Sequence, residues 1–257
     1  MNEQLEQLER DGYTVFPGFL DAPTTAKIRA HIDSLLPPVS PKDGDANRVH
    51  LLRHPIPGAI MAEILDNPRL IELVRQILYS EDLRLLEQVL IRTDGQNDSP
   101  GVHGWHLDMT FLPEHYDARP RQTYFHMVHA LSTIPENGGA TNIIPGSHKK
   151  AYAKAQELGL DRLDELKSDP IKVAGLDLND AIEVRANEGD LFVFNPMCLH
   201  SASPNLSDQP RYVYFASFMD KSASHLMDYL KSVNYQRTFP ESLRENLRAE
   251  LQPLLSD

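Results

Sequence analysis

Apolar positions recur at helical spacing in the first third of the chain and at strand spacing after it. Leu5 and Leu8 head a short helix that Gly12 ends, and residues 13–16 form a β-favouring run. Asp21 has the form of a helix N-cap with Pro23 in the first turn. Ile28, Ile32, Leu35 and Leu36 then repeat at helical spacing until the paired prolines Pro37 and Pro38. A loop is expected from there to about Asn47. Asn67-Pro68 opens the clearest helix, with Leu70, Ile71, Val74, Ile77 and Leu78 on one face.

Beyond this helix the period changes. Residues 85–93, 124–131, 140–144, 181–186, 191–194 and 211–218 are short runs rich in apolar, β-branched or aromatic residues. Turn formers separate them: Asp94-Gly95, Glu136-Asn137-Gly138-Gly139 and Asn187-Glu188-Gly189-Asp190. The pattern predicts a mainly β chain, a double-stranded β-helix (jelly roll, cupin-like) decorated by N- and C-terminal α-helices. Residues 151–170 read as a partly helical insertion, and Leu243, Leu247, Leu251 and Leu254 as a C-terminal amphipathic helix. With no internal repeat or low-complexity linker, one domain over 1–257 is expected. Its parts are a helical portion of about 1–80, a barrel core of about 85–220 and a helical extension of about 221–257.

Composition narrows the function classes. A net charge of −12 argues against nucleic-acid phosphates or anionic membranes as partners. No apolar run approaches the ~20 residues of a membrane helix. The opening Met1-Asn2-Glu3-Gln4-Leu5-Glu6 has neither a basic start nor an apolar stretch, which argues against a secretory signal. The single cysteine, Cys198, permits no internal disulfide and suits a reducing, cytoplasmic setting. A small-molecule substrate is the expected partner, and nothing in the composition sets an oligomeric state.

The candidate chemistry lies in His106-Leu107-Asp108, with His200 far downstream and Arg211 shortly after it. Two histidines and one carboxylate are the ligand set that holds non-haem Fe(II) with positions left open for reactants. Side chains at i and i+2 point the same way only from an extended segment, so His106 and Asp108 can share an ion only if they lie on a strand. Neutral imidazole nitrogens with one hard carboxylate oxygen suit Fe(II), and the set is too open for a structural zinc. Arg211 offers a rigid fork for a carboxylate.

The chain resembles the phytanoyl-CoA hydroxylase family of Fe(II)- and 2-oxoglutarate-dependent dioxygenases over nearly its whole length. Gly12-Tyr13-Thr14-Val15-Phe16-Pro17-Gly18-Phe19-Leu20 resembles the family's opening, and Trp105-His106-Leu107-Asp108 its first metal segment. Glu136-Asn137-Gly138-Gly139 and Pro145-Gly146-Ser147-His148-Lys149 resemble the central loop. Residues 188–194, His200, Pro204-Asn205 and Arg211 resemble the last hairpin. The resemblance implies Fe(II) on His106, Asp108 and His200, with 2-oxoglutarate and O2 as co-substrates. It also implies hydroxylation of an unactivated C–H bond with release of succinate and CO2. Arg211 would anchor the co-substrate, Arg48 would reach it, and Val89 and Val128 would line its pocket. Related halogenases carry a small residue in place of the carboxylate, so Asp108 favours hydroxylation. The chain departs from its relatives at Ala202, where they often carry a serine for 2-oxoglutarate; Ser201 and Ser203 flank it here. Alternatives are epoxidation, desaturation, ring closure or C–N or C–P cleavage at the same site, or a non-catalytic metal-binding cupin-like protein.

The other notable side chains have structural readings. His126 and His129 face opposite sides of one predicted strand and are expected to be satisfied structural histidines. His103 is a rival ligand on a loop, and His148 is expected to tie down its own turn. Cys198 is expected to be buried and unreactive, and Trp105 and Phe111 to pack in the core. Arg53, Arg119, Arg121 and Lys149 could form a local basic mouth.

Overall fold

The computed structural model describes residues 2–39, 48–53, 55–96, 104–108, 124–221 and 237–256. The N-terminal pattern folds as it reads: α1 (Asn2–Asp11), β1 (Tyr13–Phe16) and α2 (Ala22–Leu35). Gly12 takes a φ of 79°, a left-handed turn that costs glycine little, and reverses the chain between α1 and β1. Asp21 caps α2 by accepting from the Thr24 amide at 2.8 Å. Then come β2 (Val49–Arg53), α3 (Ile60–Leu65) and α4 (Pro68–Leu78), whose apolar stripe is buried.

The remaining strands are β3 (Leu83–Thr93), β4 (Tyr124–Ala130), β5 (Thr141–Ile143), β6 (Ile182–Val184), β7 (Leu191–Phe194), β8 (His200–Ala202) and β9 (Arg211–Asp220). They form a six-stranded antiparallel sheet in the order β1-β7-β4-β9-β3-β2, and a three-stranded sheet in the order β6-β5-β8. The two sheets face one another as a jelly-roll core. Alternation along the large sheet sorts its residues into two layers. Phe125, Met127, Leu191, Val193, Tyr212, Tyr214 and Phe218 pack outward against the helices. Val128, Phe192, Phe194 and Val213 pack inward against Ile143 and Val184 of the small sheet.

Two expectations need correction. The portion of about 1–80 holds a second strand beside the expected β1: β1 and β2 supply the two edges of the large sheet. Strand β2 escaped notice because it is a short, half-exposed edge whose order comes from pairing with β3. The C-terminal portion of about 221–257 holds no long amphipathic helix among its described residues. It has a single turn, α8 (Glu241–Arg244), and a 3-10 helix (Ala249–Leu255). Arg248 adopts an extended conformation between them and Pro253 sits within the second, so the helical ladder is interrupted. The leucines at 243, 247, 251 and 254 are buried nonetheless.

The 151–170 segment is helical, as α5 (Ser147–Leu158), α6 (Leu163–Ser168) and the start of α7 (Pro170–Val173). It shares a second apolar core with Leu107, Met197 and Leu199, which flank the candidate ligands. Among the described residues no helix is long and apolar enough to cross a membrane.

His129 lies on the outward face of β4, fully buried and stacked on Tyr214 at 5.5 Å. Neither ring nitrogen has a hydrogen-bond partner among the described residues, so it is not the satisfied histidine expected from sequence. Burial pushes its pKa down to about 3. The unfolded chain therefore takes up a proton below about pH 6.5 that the folded protein refuses, and stability falls as pH drops from there towards 3. Replacing His129 with Phe should flatten that acid slope by about 1.4 kcal/mol per pH unit within the window. Urea melts from pH 7 to pH 5 check this; an unchanged slope would remove His129 from the account.

Candidate metal centre

His106, Asp108 and His200 come together although no regular strand carries the first two. The segment 104–108 makes a two-way antiparallel bridge to β8 at His106. The His106 amide donates to the His200 carbonyl at 3.0 Å, and the His200 amide to the His106 carbonyl at 3.2 Å. The Asp108 amide donates to Pro196 at 3.1 Å. That pairing brings the two imidazoles to 4.3 Å between ring centroids and turns Asp108 in beside them. Strand β8 is held in turn by β5, where Ile143 pairs with His200. The Ser147 hydroxyl accepts from the Leu199 amide at 2.9 Å, so Pro145-Gly146-Ser147 helps set the approach to His200.

The donor atoms of these three residues lie within 4.8 Å of one another. Asp108 Oδ1 is 3.4 Å from His106 Nε2, and its Oδ2 is 3.4 Å from His200 Nε2. Each histidine turns Nδ1 to a backbone carbonyl: His106 to Gly104 at 2.7 Å, and His200 to Cys198 at 2.9 Å. A carbonyl only accepts, so each Nδ1 carries a proton and each Nε2 faces the gap beside Asp108. Burial would raise the Asp108 pKa, but the imidazoles of His200, His126 and His106 outweigh it and hold the carboxyl well below the usual range. Burial pushes His200 down to about 4. An ionised carboxylate and a neutral imidazole suit a divalent metal without rearranged protons. His200 is buried, whereas the side chains of His106 and Asp108 keep 30% and 25% exposure, so the cluster is open on their side. The donor set therefore fits Fe(II).

The inward face of the large sheet reads as a series of cross-strand rows. The row beside the cluster holds Phe194, His126, Ser217 and Glu87. The next holds Phe192, Val128, Phe215 and Val89, and the third Ala130, Val213 and Ile91. Arg211 stands in the fourth, opposite Thr93. Two apolar rows thus separate the metal cluster from one guanidinium. Successive rows are about 6.7 Å apart along a strand.

Arg211 makes no ion pair or hydrogen bond with the described residues, and its Nε is buried without a partner. Burial alone pulls its pKa down to about 10. A buried cation without an anion is costly unless a ligand supplies one. Gly139, at φ 76°, makes room for this side chain: a Cβ there would lie 3.3 Å from Arg211 Cδ and 3.1 Å from Asn205 Cβ. The Glu136-Asn137-Gly138-Gly139 turn therefore shapes the guanidinium's slot.

Val89 and Val128 both flank Phe215 on the inner face. Arg48 gives an amino group to the Gly95 carbonyl at the turn after β3. Ser203 bonds the Ala140 carbonyl and Ser201 that of Ala202, so both hydroxyls flanking Ala202 serve the backbone. His148 reaches the Glu9 carbonyl at 3.2 Å, tying α5 to α1 rather than its own turn. Cys198 is buried, with its thiol pushed up to about 12 by burial. Trp105 packs against the second core, and Arg53 pairs with Glu87 at 3.3 Å. His103, Phe111, Arg119 and Arg121 lie outside the described residues.

His126 is the residue that sequence reasoning undervalued. Its Nε2 lies 3.0 Å from Asp108 Oδ2. The alternation that puts Val128 on the inner face puts His126 there too, and the signal was available in the sequence.

The phytanoyl-CoA dioxygenase (PhyH) family model matches residues 8–213. The ectoine dioxygenase of Nocardia farcinica (strain IFM 10152) is 24% identical over 239 residues, spanning 84% of this chain and 77% of that protein. The dioxygenase himG of Aspergillus japonicus is 30% identical over 131 residues, 49% of this chain and 34% of its own length. Among solved structures, the α-ketoglutarate-dependent epimerase SnoN from nogalamycin biosynthesis aligns with a TM-score of 0.62 at 22% identity, covering 85% of this chain and 82% of that one. EvdO2 of Micromonospora carbonacea var. aurantiaca, complexed with 2-oxoglutarate, aligns with a TM-score of 0.60 at 19% identity, covering 86% and 91%. At these identities the structures share the fold.

Proposed function

The chain belongs to the phytanoyl-CoA dioxygenase family, and from that membership we propose that it hydroxylates an unactivated C–H bond of a small organic molecule. It is a 2-oxoglutarate-dependent non-haem iron dioxygenase. In this reading His106, Asp108 and His200 hold Fe(II), and Arg211 holds the distal carboxylate of 2-oxoglutarate. When bound, Fe(II) with 2-oxoglutarate and O2 supplies the oxidant: one oxygen atom enters the C–H bond, the other enters succinate, and CO2 leaves.

The protein supplies position and dryness. The Gly104 and Cys198 carbonyls fix both imidazoles with Nε2 towards the metal position. Val128, Phe215 and Val89 form an apolar floor between the cluster and Arg211, which excludes water from a charged co-substrate and strengthens its pairing. One observation carries the reading: a three-donor cluster and an arginine whose buried Nε has no partner among the described residues share one inner face, with apolar rows between them.

The relative named for ectoine supports a compact organic substrate. SnoN is an epimerase and SnoK a carbocyclase, both 18–22% identical to this chain, which speaks to fold and leaves the oxidative outcome to experiment. We expect Fe(II)-dependent conversion of 2-oxoglutarate to succinate, accelerated by the right member of a panel of small polar compounds. The product should gain one oxygen atom by mass spectrometry. A product of unchanged mass would instead mean epimerisation, and loss of two hydrogens desaturation or ring closure. Iron binding without any succinate would replace the reading with a non-catalytic metal protein.

A further inference from the structure

We propose that His126 is a positioning residue for Asp108, holding one carboxylate oxygen so that the other is presented to the metal; this rests on reading His106, Asp108 and His200 as the metal ligands. His126 is not itself a member of the converging donor group. Its ring is buried on the inner face of β4, 5.0 Å from Phe194 and 5.3 Å from both Phe215 and Tyr124, so aromatic neighbours on three sides fix its plane. Its Nδ1 is 2.6 Å from the Ser217 hydroxyl, and Ser217 donates to Glu87 Oε1 at 3.2 Å. Glu87 Oε2 accepts from Arg53 at 3.3 Å. One row of side chains therefore runs from the metal ligand across β4, β9 and β3 to the sheet edge. A β-bulge between Leu85 and Glu87 brings Glu87 into register with Ser217.

The far end of the ring meets Asp108. Its Nε2 and Asp108 Oδ2 form an ion-pair contact at 3.0 Å, closer than the 3.4 Å from the same oxygen to His200 Nε2; both atoms are buried, and neither has a hydrogen bond to any other described residue. Each is the other's available partner, and only an N–H on Nε2 satisfies a carboxylate there. A carboxylate free to swing could offer both oxygens to the metal and consume a position that 2-oxoglutarate and O2 need. Held by His126, it offers one.

The test is anaerobic Fe(II) titration of the full chain, with the charge-transfer band of the Fe(II)–2-oxoglutarate complex as a second readout and thermal melts of the metal-free variants as a folding control. His126→Leu should weaken Fe(II) about 10- to 100-fold and shift the band. His126→Gln, which keeps a donor, should recover part of the loss. Ser217→Ala should cause a smaller loss that disappears in the His126→Leu background, because it acts through the ring. Wild-type Fe(II) affinity and band in His126→Leu would overturn the proposal. If that variant does not fold, wild-type behaviour in both His126→Gln and Ser217→Ala, or a Gln variant that binds no better than Ser217→Ala predicts for a lost donor, would overturn it instead. A wild-type protein that binds no Fe(II), or a His200→Ala protein that binds it as tightly, would overturn the metal reading itself and with it the role of His126.

Discussion

Replacing His200 with Ala should reduce Fe(II)-dependent succinate formation to the level of buffer. Of the three candidate ligands His200 is the most enclosed, and β8 and the 104–108 segment set its position through backbone bonds that the substitution leaves intact. The fold should survive, because the imidazole gives its Nδ1 proton to one carbonyl and directs Nε2 only at the gap. His106→Ala and Asp108→Ala should behave alike in turnover. The measurement that separates lost metal from lost fold is anaerobic melting with and without Fe(II). At a free metal concentration of about 100 times Kd, binding adds about 2.7 kcal/mol to the wild type. For a chain of this size that raises Tm by about 5–11 °C. The His200→Ala protein should show no rise, and its metal-free Tm should match that of the wild type. A full Fe(II)-induced rise in the variant would remove His200 from the site.

The second large effect belongs to Arg211. Its Nε is buried, its side chain lacks an anion among the described residues, and burial alone pulls its pKa down to about 10. If it receives the distal carboxylate of 2-oxoglutarate, Arg211→Ala leaves a desolvated charge unpaired and costs about 2–5 kcal/mol of co-substrate binding. That is about 30-fold to several thousandfold in Kd. Fe(II) affinity should hardly change, since two apolar rows stand between Arg211 and the cluster. Lysine should rescue in part, keeping the charge and losing the two-pronged fork. The same residue should act oppositely on stability. Removing an unpaired buried cation relieves a cost, so Arg211→Leu should raise the Tm of the ligand-free protein while weakening 2-oxoglutarate. Titration of 2-oxoglutarate into anaerobic Fe(II) protein, read at the charge-transfer band, gives the affinity. An Arg211→Ala protein that binds 2-oxoglutarate like the wild type would transfer the anchor's role to another cation, with Arg48 the first to examine.

Much of this was legible along the chain, for local reasons. Asp21 and Asn67 mark helix starts because their side chains satisfy amides within the next turn, whatever the rest of the protein does. The strand runs at 191–194 and 211–218 carry their own period, and the His-x-Asp spacing by itself demands an extended segment. The C-terminal leucines show the limit of that logic. Their spacing signalled burial correctly and helix wrongly, because a 3-10 turn and an isolated α turn can bury the same side chains once the core receives them.

What only the tertiary structure decided are the relations between distant segments. Strand β2 exists because β3 pairs with it, and β8 because β5 and the 104–108 segment do. Neither run is long or apolar enough to declare itself. The sequence could place His126 on the inner face through Val128, two positions away, but not beside Asp108, Ser217 and Glu87. That neighbourhood depends on cross-strand register and on the bulge in β3. It likewise named Arg211 as a carboxylate fork but could not show that the described residues leave it without an anion. A residue's type and period are written locally, whereas its partners are set by which strands meet and in what register, and those choices are made by the whole core at once.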